Sequence, residues 1–325
     1  MDPSEEPSLP IANQQGSAGL VTALDLLQLI PEEDVWLAGQ LSPHTRRAYK
    51  QDVANFIAAM GLRSTAELRN VNRAAVVAWQ NGMKTHGAKP RTIRRRLSAL
   101  SSLFAHLVAH HAVERNPVRD IRRPRVNRRH GTTRAFSVKE ARKVLDAPDP
   151  TTLLGLRDRA ILSVGLQAGP RRSEIATLLV KDYHTNVGYK SLHFIRKGGE
   201  DLSLAINPQT AQRIEQYLAM AGHNDDLDGP LFRPVRNNQR CRDLRRPLHP
   251  DAVDRVLRKY AALAGLDRGY SAHSMRATFI TTALSNGASL EDVQRDVGHA
   301  DPSTTKLYDR RGHNPEKSAS FFATY

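Results

Sequence analysis

The sequence predicts a mainly α-helical protein of two domains, the second carrying a small antiparallel β-sheet. Three observations lead there. The 325 residues exceed what a single hydrophobic core normally organises. Capped segments with apolar residues on one face at helical period run from residue 43 to 110 and again after residue 137. Short alternating or apolar runs punctuated by glycine fall only between residues 178 and 206.

Residues 1–40 read as an acidic N-terminal tail in which Val21 to Ile30 makes a short helix. The first firm helix begins at Ser42-Pro43, an N-cap followed by proline at the first helical position. Tyr49, Val53, Phe56, Ile57 and Met60 share one face, and Gly61 ends it. A second helix covers Arg73 to Met83. The clearest runs from Arg91 to His110, where Ile93, Leu97, Leu100, Phe104 and Leu107 step by 4, 3, 4 and 3. Residues 41–121 thus form a helical domain closed by Asn116-Pro117. A basic, aperiodic linker follows at 122–136, and the second domain spans 137–325.

That second domain opens with a capping box, Ser137-x-x-Glu140. Helices run through Leu145 and from Leu153 to Leu166. Leu178 to Val180, Ser191 to Ile195 and Asp201 to Ile206 read as the strands. Helices resume at Thr210 and at Pro250 to Ala264, which Gly265 ends. Asn286-Gly287 stops the next, Ser289-x-x-Asp292 caps another that Gly298 stops, and Asp301-Pro302 opens one more.

Composition excludes whole classes. No apolar run reaches the roughly 20 residues that cross a bilayer, and the first residues are no signal peptide. The single cysteine, Cys241, leaves no disulfide framework and no cysteine-based zinc site, so a reducing cytoplasm fits. The net charge of +15 is unevenly spread: −7 over residues 1–40, +17 over 41–146 and +5 over 147–325. A block of +17 repels itself unless it meets a polyanion, and nucleic acid is the obvious one. Lys89, Arg91, Thr92, Arg94, Arg95 and Arg96 at the start of the third helix, Arg122 and Arg123 in the linker, and Arg172 are the candidate DNA contacts.

Four segments of the second domain gather cations, imidazoles and a tyrosine. Gly169-Pro170-Arg171-Arg172-Ser173-Glu174 is a turn into a helix, and Lys197 lies at a hairpin tip. His273 and Arg276 share a helical face, and Gly298-His299 precedes Tyr308 by nine residues. Singly, each has a bland reading as an ion pair, a core histidine or a packed aromatic. Jointly they suit phosphodiester chemistry. Arginines clamp non-bridging oxygens bidentately, and a tyrosine needs a positive site to lose its proton on attack.

The combination resembles the tyrosine site-specific recombinases, the phage integrase family. That family shows a Gly-x-Arg-x-Ser-Glu turn, a hairpin lysine, His-x-x-Arg, Gly-His and then a tyrosine in this order. Thr45-x-x-x-Tyr49, Thr92 with Leu97, and Asn116-Pro117 resemble its core-binding domain, so the likeness covers residues 41–312. The resemblance implies a helical core-binding domain and an α+β catalytic domain forming a clamp around DNA. It implies a nucleophilic Tyr308 giving a 3′-phosphotyrosyl intermediate, with Arg171 and Arg276 on the phosphate. Lys197 would protonate the leaving 5′-hydroxyl, with His273 and His299 assisting. Arg172 is an alternative clamp, Lys190 a competing lysine, and Tyr270, Tyr260 and Tyr325 the next candidates for nucleophile. No metal, nucleotide or other cofactor is implied.

The implied partners are double-stranded DNA carrying an inverted-repeat site and the protein itself, as a dimer on one site and a tetramer on two duplexes. No membrane is implied, and the setting is the cytoplasm, at the nucleoid. The segment Asn314 to Tyr325 reads as a capped apolar helix; the resemblance implies that it is passed to a neighbouring subunit, the alternative being that it packs on its own catalytic domain. A type IB topoisomerase-like nicking enzyme and a catalytically idle DNA-binding regulator are the alternatives.

Overall fold

The computed structural model describes residues 30–125, 133–196, 199–235, 245–266, 269–299 and 301–308. The expected helix at Val21 to Ile30, the centre of the linker, Lys197 and the segment from Asn314 onward lie wholly or almost wholly outside these. The chain forms two compact units, Met1–Asn127 and Arg128–Tyr325.

The first unit is all helical: α1 (Glu32–Ala38), α2 (Pro43–Met60), a 3-10 turn (Thr65–Asn70), α3 (Arg73–Thr85) and α4 (Pro90–Ala109). Proline opens α2 and α4, and the Asn72 side chain caps α3 by accepting from the Ala75 N–H at 3.0 Å. The α4 stripe of Ile93, Leu97, Leu100, Phe104 and Leu107 is wholly buried and shares a core with Phe56 and Trp79. Those two rings meet edge to face, 4.9 Å between centroids. Each such leucine contributes about 1.5–3 kcal/mol by leaving water. Helix α1 was not foreseen within the acidic tail. It is held by Trp36, which stacks on Tyr49 at 5.7 Å and donates from Nε1 to Ser102 Oγ at 3.1 Å.

In the second unit the Ser137–Glu140 capping box forms as expected at the start of α5 (Val138–Asp146). Helix α6 (Leu153–Gln167) is buried on all sides, with Leu156, Ala160, Ile161 and Val164 in the core. Around it lie α7 (Arg172–Thr177), α8 (Pro208–Ala221), α9 (Pro250–Leu263), α10 (Ala272–Ser285), α11 (Leu290–Val297) and α12 (Pro302–Lys306). The small antiparallel sheet is present, in the order β1 (Tyr183–Asn186), β2 (Tyr189–Ile195), β3 (Asp201–Ala205).

One strand is corrected. Leu178 to Val180 is not part of the sheet: Leu178 accepts from the Leu231 N–H at 2.8 Å, and Val180 begins a 3-10 turn. Leu178 and Val180 are buried in the core with Leu231 rather than paired with β2. The strand that does pair with β2 is polar Tyr-His-Thr-Asn, an edge whose outer half is exposed, so its hydrophobicity carried no signal. No helix among the described residues is long and apolar enough to cross a membrane.

Candidate active site

Five of the six predicted catalytic side chains fall among the described residues, and the fold brings all five together. Helix α10 opens with Ala272 and carries His273 and Arg276 in its first turns. The Tyr308 ring lies at the end of α12, buried, with its backbone N–H on the Thr305 carbonyl at 3.0 Å. Its hydroxyl is 3.1 Å from Nε2 of the exposed His273. His299 lies in the α11–α12 loop, its ring nearly parallel to that of Tyr308 at 6.3 Å, and Nδ1 is 2.9 Å from Thr305 Oγ1.

The arginines are organised by the C-terminal end of α11. The last carbonyls of a helix lack intrahelical partners. Here four successive ones accept from three guanidiniums. Arg196 Nη1 donates to Arg295 O at 3.2 Å and Nη2 to Asp296 O, Arg276 Nη2 donates to Val297 O, and Arg171 Nη2 to Gly298 O at 3.2 Å. Arg276, 2% exposed, also donates from Nη1 to Gly169 O at 2.8 Å. Glu174, in the first turn of α7, accepts from the Arg171 backbone N–H and from its Nη1, each at 2.7 Å. The negative end of the α11 dipole favours this clustering of cations.

Two glycines are required for the arrangement. Gly169 has φ +67°, and a Cβ there would lie 2.5 Å from the Phe279 ring. Gly298 has φ +59°, and a Cβ would lie 1.6 Å from Arg196 Nη1, so the arginine lies flat on the glycine. A cleft of about 790 Å³ opens beside this pair, lined by Arg171, Arg196, His299 and Thr304 among others.

Burial, reinforced by Arg276 and Arg171, pushes the His299 imidazole from 6.5 down to about 3, so it is neutral in ordinary buffers. Burial first, then Arg171, lowers Arg276 to about 10, which leaves it charged. Arg196 is lowered in the same direction by burial. The site can therefore supply fixed positive charge, a neutral imidazole at His299, and an imidazole nitrogen within reach of a phenolic proton.

Several open choices separate on geometry. Arg172 points to α9, where it pairs with Asp251 at 2.7 Å and Asp254 at 2.9 Å, whereas Arg171 joins Arg276 through α11. Lys190, near the start of β2, pairs with Glu215 at 3.1 Å. Lys197 itself is outside the described residues, but it follows Ile195 at the other end of that strand. Tyr260 donates to Asp158 at 3.0 Å, and Tyr270 stacks on Phe136 and donates to Glu140 at 3.3 Å. Neither hydroxyl meets the arginine cluster through these bonds; Tyr325 is outside the described residues.

The sequence pattern alone did not single out Arg196. It is 6% exposed, its Nε has no partner among the described residues, and its backbone N–H closes the β2–β3 hairpin on Glu200 O at 2.9 Å. The only available signal was a second basic residue directly before Lys197. The sequence also holds an acidic run, Asp225-Asp226-Leu227-Asp228-Gly229, whose carboxylates pair with Lys181 (Asp228, 2.7 Å) and Arg233 (Asp226).

The candidate DNA contacts of the first unit divide as well. Lys89, Arg91 and Arg122 are exposed, and Thr92 is half-buried. Arg95 and Arg96 instead face the buried Asp52, which Arg95 pairs with directly. Arg94 donates to Pro124 O at 3.3 Å and Arg123 to Ser98 Oγ at 2.7 Å.

Comparison with known proteins defines the class. Residues 134–314 match the phage integrase family, and residues 32–111 match the phage integrase N-terminal SAM-like domain. The chain belongs to the phage integrase family, the tyrosine recombinases, whose members cleave and rejoin DNA. It is 29% identical over 273 residues to tyrosine recombinase XerD of Listeria monocytogenes, covering 82% of this chain and 88% of that protein. It is 30% identical over 272 residues to tyrosine recombinase XerC of Herpetosiphon aurantiacus, covering 82% and 85%.

Among solved structures, a lambda integrase dimer bound to a core site aligns with a TM-score of 0.65 at 15% identity, over 87% of this chain and 95% of that one. XerH recombinase in a pre-cleavage complex with its difH substrate aligns at 0.64 and 20%, over 86% and 80%. At that identity the structural likeness shows the fold.

Proposed function

We infer that this chain is a site-specific DNA recombinase whose nucleophile is Tyr308. One observation carries the assignment: the Tyr308 hydroxyl, in contact with His273, is brought together with three guanidiniums gathered on one helix end. The Tyr308 oxygen attacks the scissile phosphorus and its proton passes to His273 Nε2. Arg171 and Arg276 neutralise the two non-bridging oxygens, whose charge grows in the transition state. The bond to the 5′-oxygen breaks, and Lys197 donates the proton that oxygen takes. Tyr308 is left as a 3′-phosphotyrosyl ester, and attack by a 5′-hydroxyl of a second duplex reverses the sequence. The ester retains the bond energy, so neither ATP nor a metal enters the reaction.

Arg171 rather than Arg172 is the clamp, because Arg172 is committed to Asp251 and Asp254. Arg196 is a positioning residue that ties the Lys197 hairpin to the loop of His299. The N-terminal SAM-like match supports recombination over simple nicking and closing. The substrate is double-stranded DNA with an inverted-repeat site, bound by a dimer and exchanged in a tetramer, in the cytoplasm.

A duplex nicked just beyond the cleavage position releases a short strand and traps the covalent ester. Wild-type protein should form the adduct, and Tyr308→Phe should bind the same DNA with unchanged affinity and form none. Adduct with the phenylalanine variant would assign the nucleophile elsewhere. Transfer of strands between two duplexes separates a recombinase from a nicking enzyme.

A further inference from the structure

In the first unit, well away in sequence from the chemistry, three metal-ligating groups converge where α1 meets α4. His106 lies in the last turn of α4, His110 is its C-cap, and Glu32 is the first residue of α1. Their spacing of four puts the two imidazoles on one helical face, with ring centroids 4.2 Å apart. Glu32 Oε2 is 2.8 Å from His106 Nε2 and 3.8 Å from His110 Nδ1. Donor atoms from all three lie within 4.8 Å of one another.

We propose that Glu32, His106 and His110 bind a divalent transition metal ion of the zinc type, which clips α1 to α4. A tetrahedral zinc ion about 2.0–2.2 Å from each ligand holds its donors about 3.3–3.5 Å apart. The two carboxylate-to-imidazole distances, 2.8 and 3.8 Å, straddle that separation, and the third falls within the 4.8 Å that bounds all three donors. Closing round an ion thus needs about 0.5 to 1.5 Å of side-chain movement. The donor set selects the ion: two imidazoles and one carboxylate suit zinc and its late transition neighbours, whereas magnesium and calcium require mostly oxygen.

Charge favours occupancy. Among the described residues Glu32 pairs with no lysine or arginine, and its ion-pair partners are these imidazoles alone. Metal-bound imidazoles add no charge and a carboxylate adds −1, and the C-terminal end of the α4 dipole adds negative potential. Water completes the fourth position. The role is structural: α1 is only seven residues long and is otherwise anchored chiefly by Trp36, buried in the core it shares with α4 and bonded to Ser102.

The test uses the full-length protein, stripped with a chelator and titrated calorimetrically with zinc chloride in a buffer that does not bind metal. His110→Ala and Glu32→Gln are the variants. His110 is half exposed at a helix end, and far-UV circular dichroism checks that both variants keep the helical content. Wild type should bind one zinc ion that both variants bind at least about 10-fold more weakly, the loss of a ligand costing no less than loss of its supporting partner. Cobalt should give the visible absorption of a tetrahedral site in wild type only. Saturating zinc should raise the unfolding midpoint of wild type by several degrees and leave that of His110→Ala unchanged. Equal stoichiometry and affinity in wild type and variants would place bound zinc elsewhere, for instance on Cys241, and overturn the proposal. Absence of zinc binding by wild type would reduce the cluster to a hydrogen-bonded histidine–glutamate pair.

Discussion

Arg196 joins two parts of the site that are about a hundred residues apart in sequence. Its backbone closes the hairpin that continues into Lys197, and its guanidinium holds the helix end preceding His299. Arg196→Met keeps the buried stem and removes both hydrogen bonds, leaving two carbonyls at the end of α11 without these partners. Stability should fall by about 1–3 kcal/mol, partly offset because a desolvated charge is also removed. The informative readout is kinetic. DNA affinity should hold, while covalent adduct formation slows by about 100-fold, the usual effect of displacing a reacting group by an ångström. Equal adduct rates would confine Arg196 to folding.

His299 makes a pH prediction. Its folded pKa, about 3, lies below the usual 6.5, so below pH 6.5 the unfolded chain takes up a proton that the folded chain refuses. Folding stability from this residue is therefore fully present above pH 6.5 and is lost progressively as the pH falls to about 3. Urea titrations across that window should show a shallower acid loss in His299→Gln than in wild type. Parallel curves would mean that the imidazole is not held neutral.

At the scale of elements, α4 carries two kinds of arginine that charge counting treats alike. Asp52 is buried, its carboxyl pushed up by burial and pulled back by Arg95. Arg95, itself exposed, and Arg96 compensate that charge, whereas Lys89 and Arg91 stand exposed at the start of the helix and form no ion pair among the described residues. Replacing Lys89 and Arg91 together with alanine should flatten the dependence of log K on log salt by about 2, roughly one unit for each phosphate that is no longer neutralised. Arg95→Ala should change the slope less and instead cost about 1–3 kcal/mol in a urea titration.

The same helix shows what a sequence exposes. Its inward stripe and the caps at Ser137, Ser289 and Asp301 were legible, because caps and period are local events. So was the order of the site residues, each in a short motif. Helix α1 was not, being seven residues with three acids in its first turn, nor was the polar edge strand β1. The partners of the arginines were hidden for a different reason. They are main-chain carbonyls, which every residue has and no side-chain pattern announces.

For the molecule as a whole, each unit has its own core. One is built round Leu100 and Phe104, the other round Ile161 and Val164. Residues 30–125 and residues 133–325, expressed separately, should each unfold cooperatively in denaturant, as independent cores require. A fragment that melts without a transition would show that its core is completed by the other unit. The strongly basic block of residues 41–146 spans the first unit and the start of the second, so the fragment 30–125 should retain salt-sensitive DNA binding without any cleavage.

Four neighbouring carbonyls at the end of α11 hold Arg171, Arg196 and Arg276, and His299 follows them directly. The helix is thus a common mounting, and its buried Val293 and Val297 seat it in a small cluster that also contains Tyr308. A slide or tilt of that one helix displaces three cations, an imidazole and the approach to the nucleophile in a single motion. On the proposed function, a push on α11 would move the phosphate clamp and the imidazole together, which suits a reaction whose subunits act in turn.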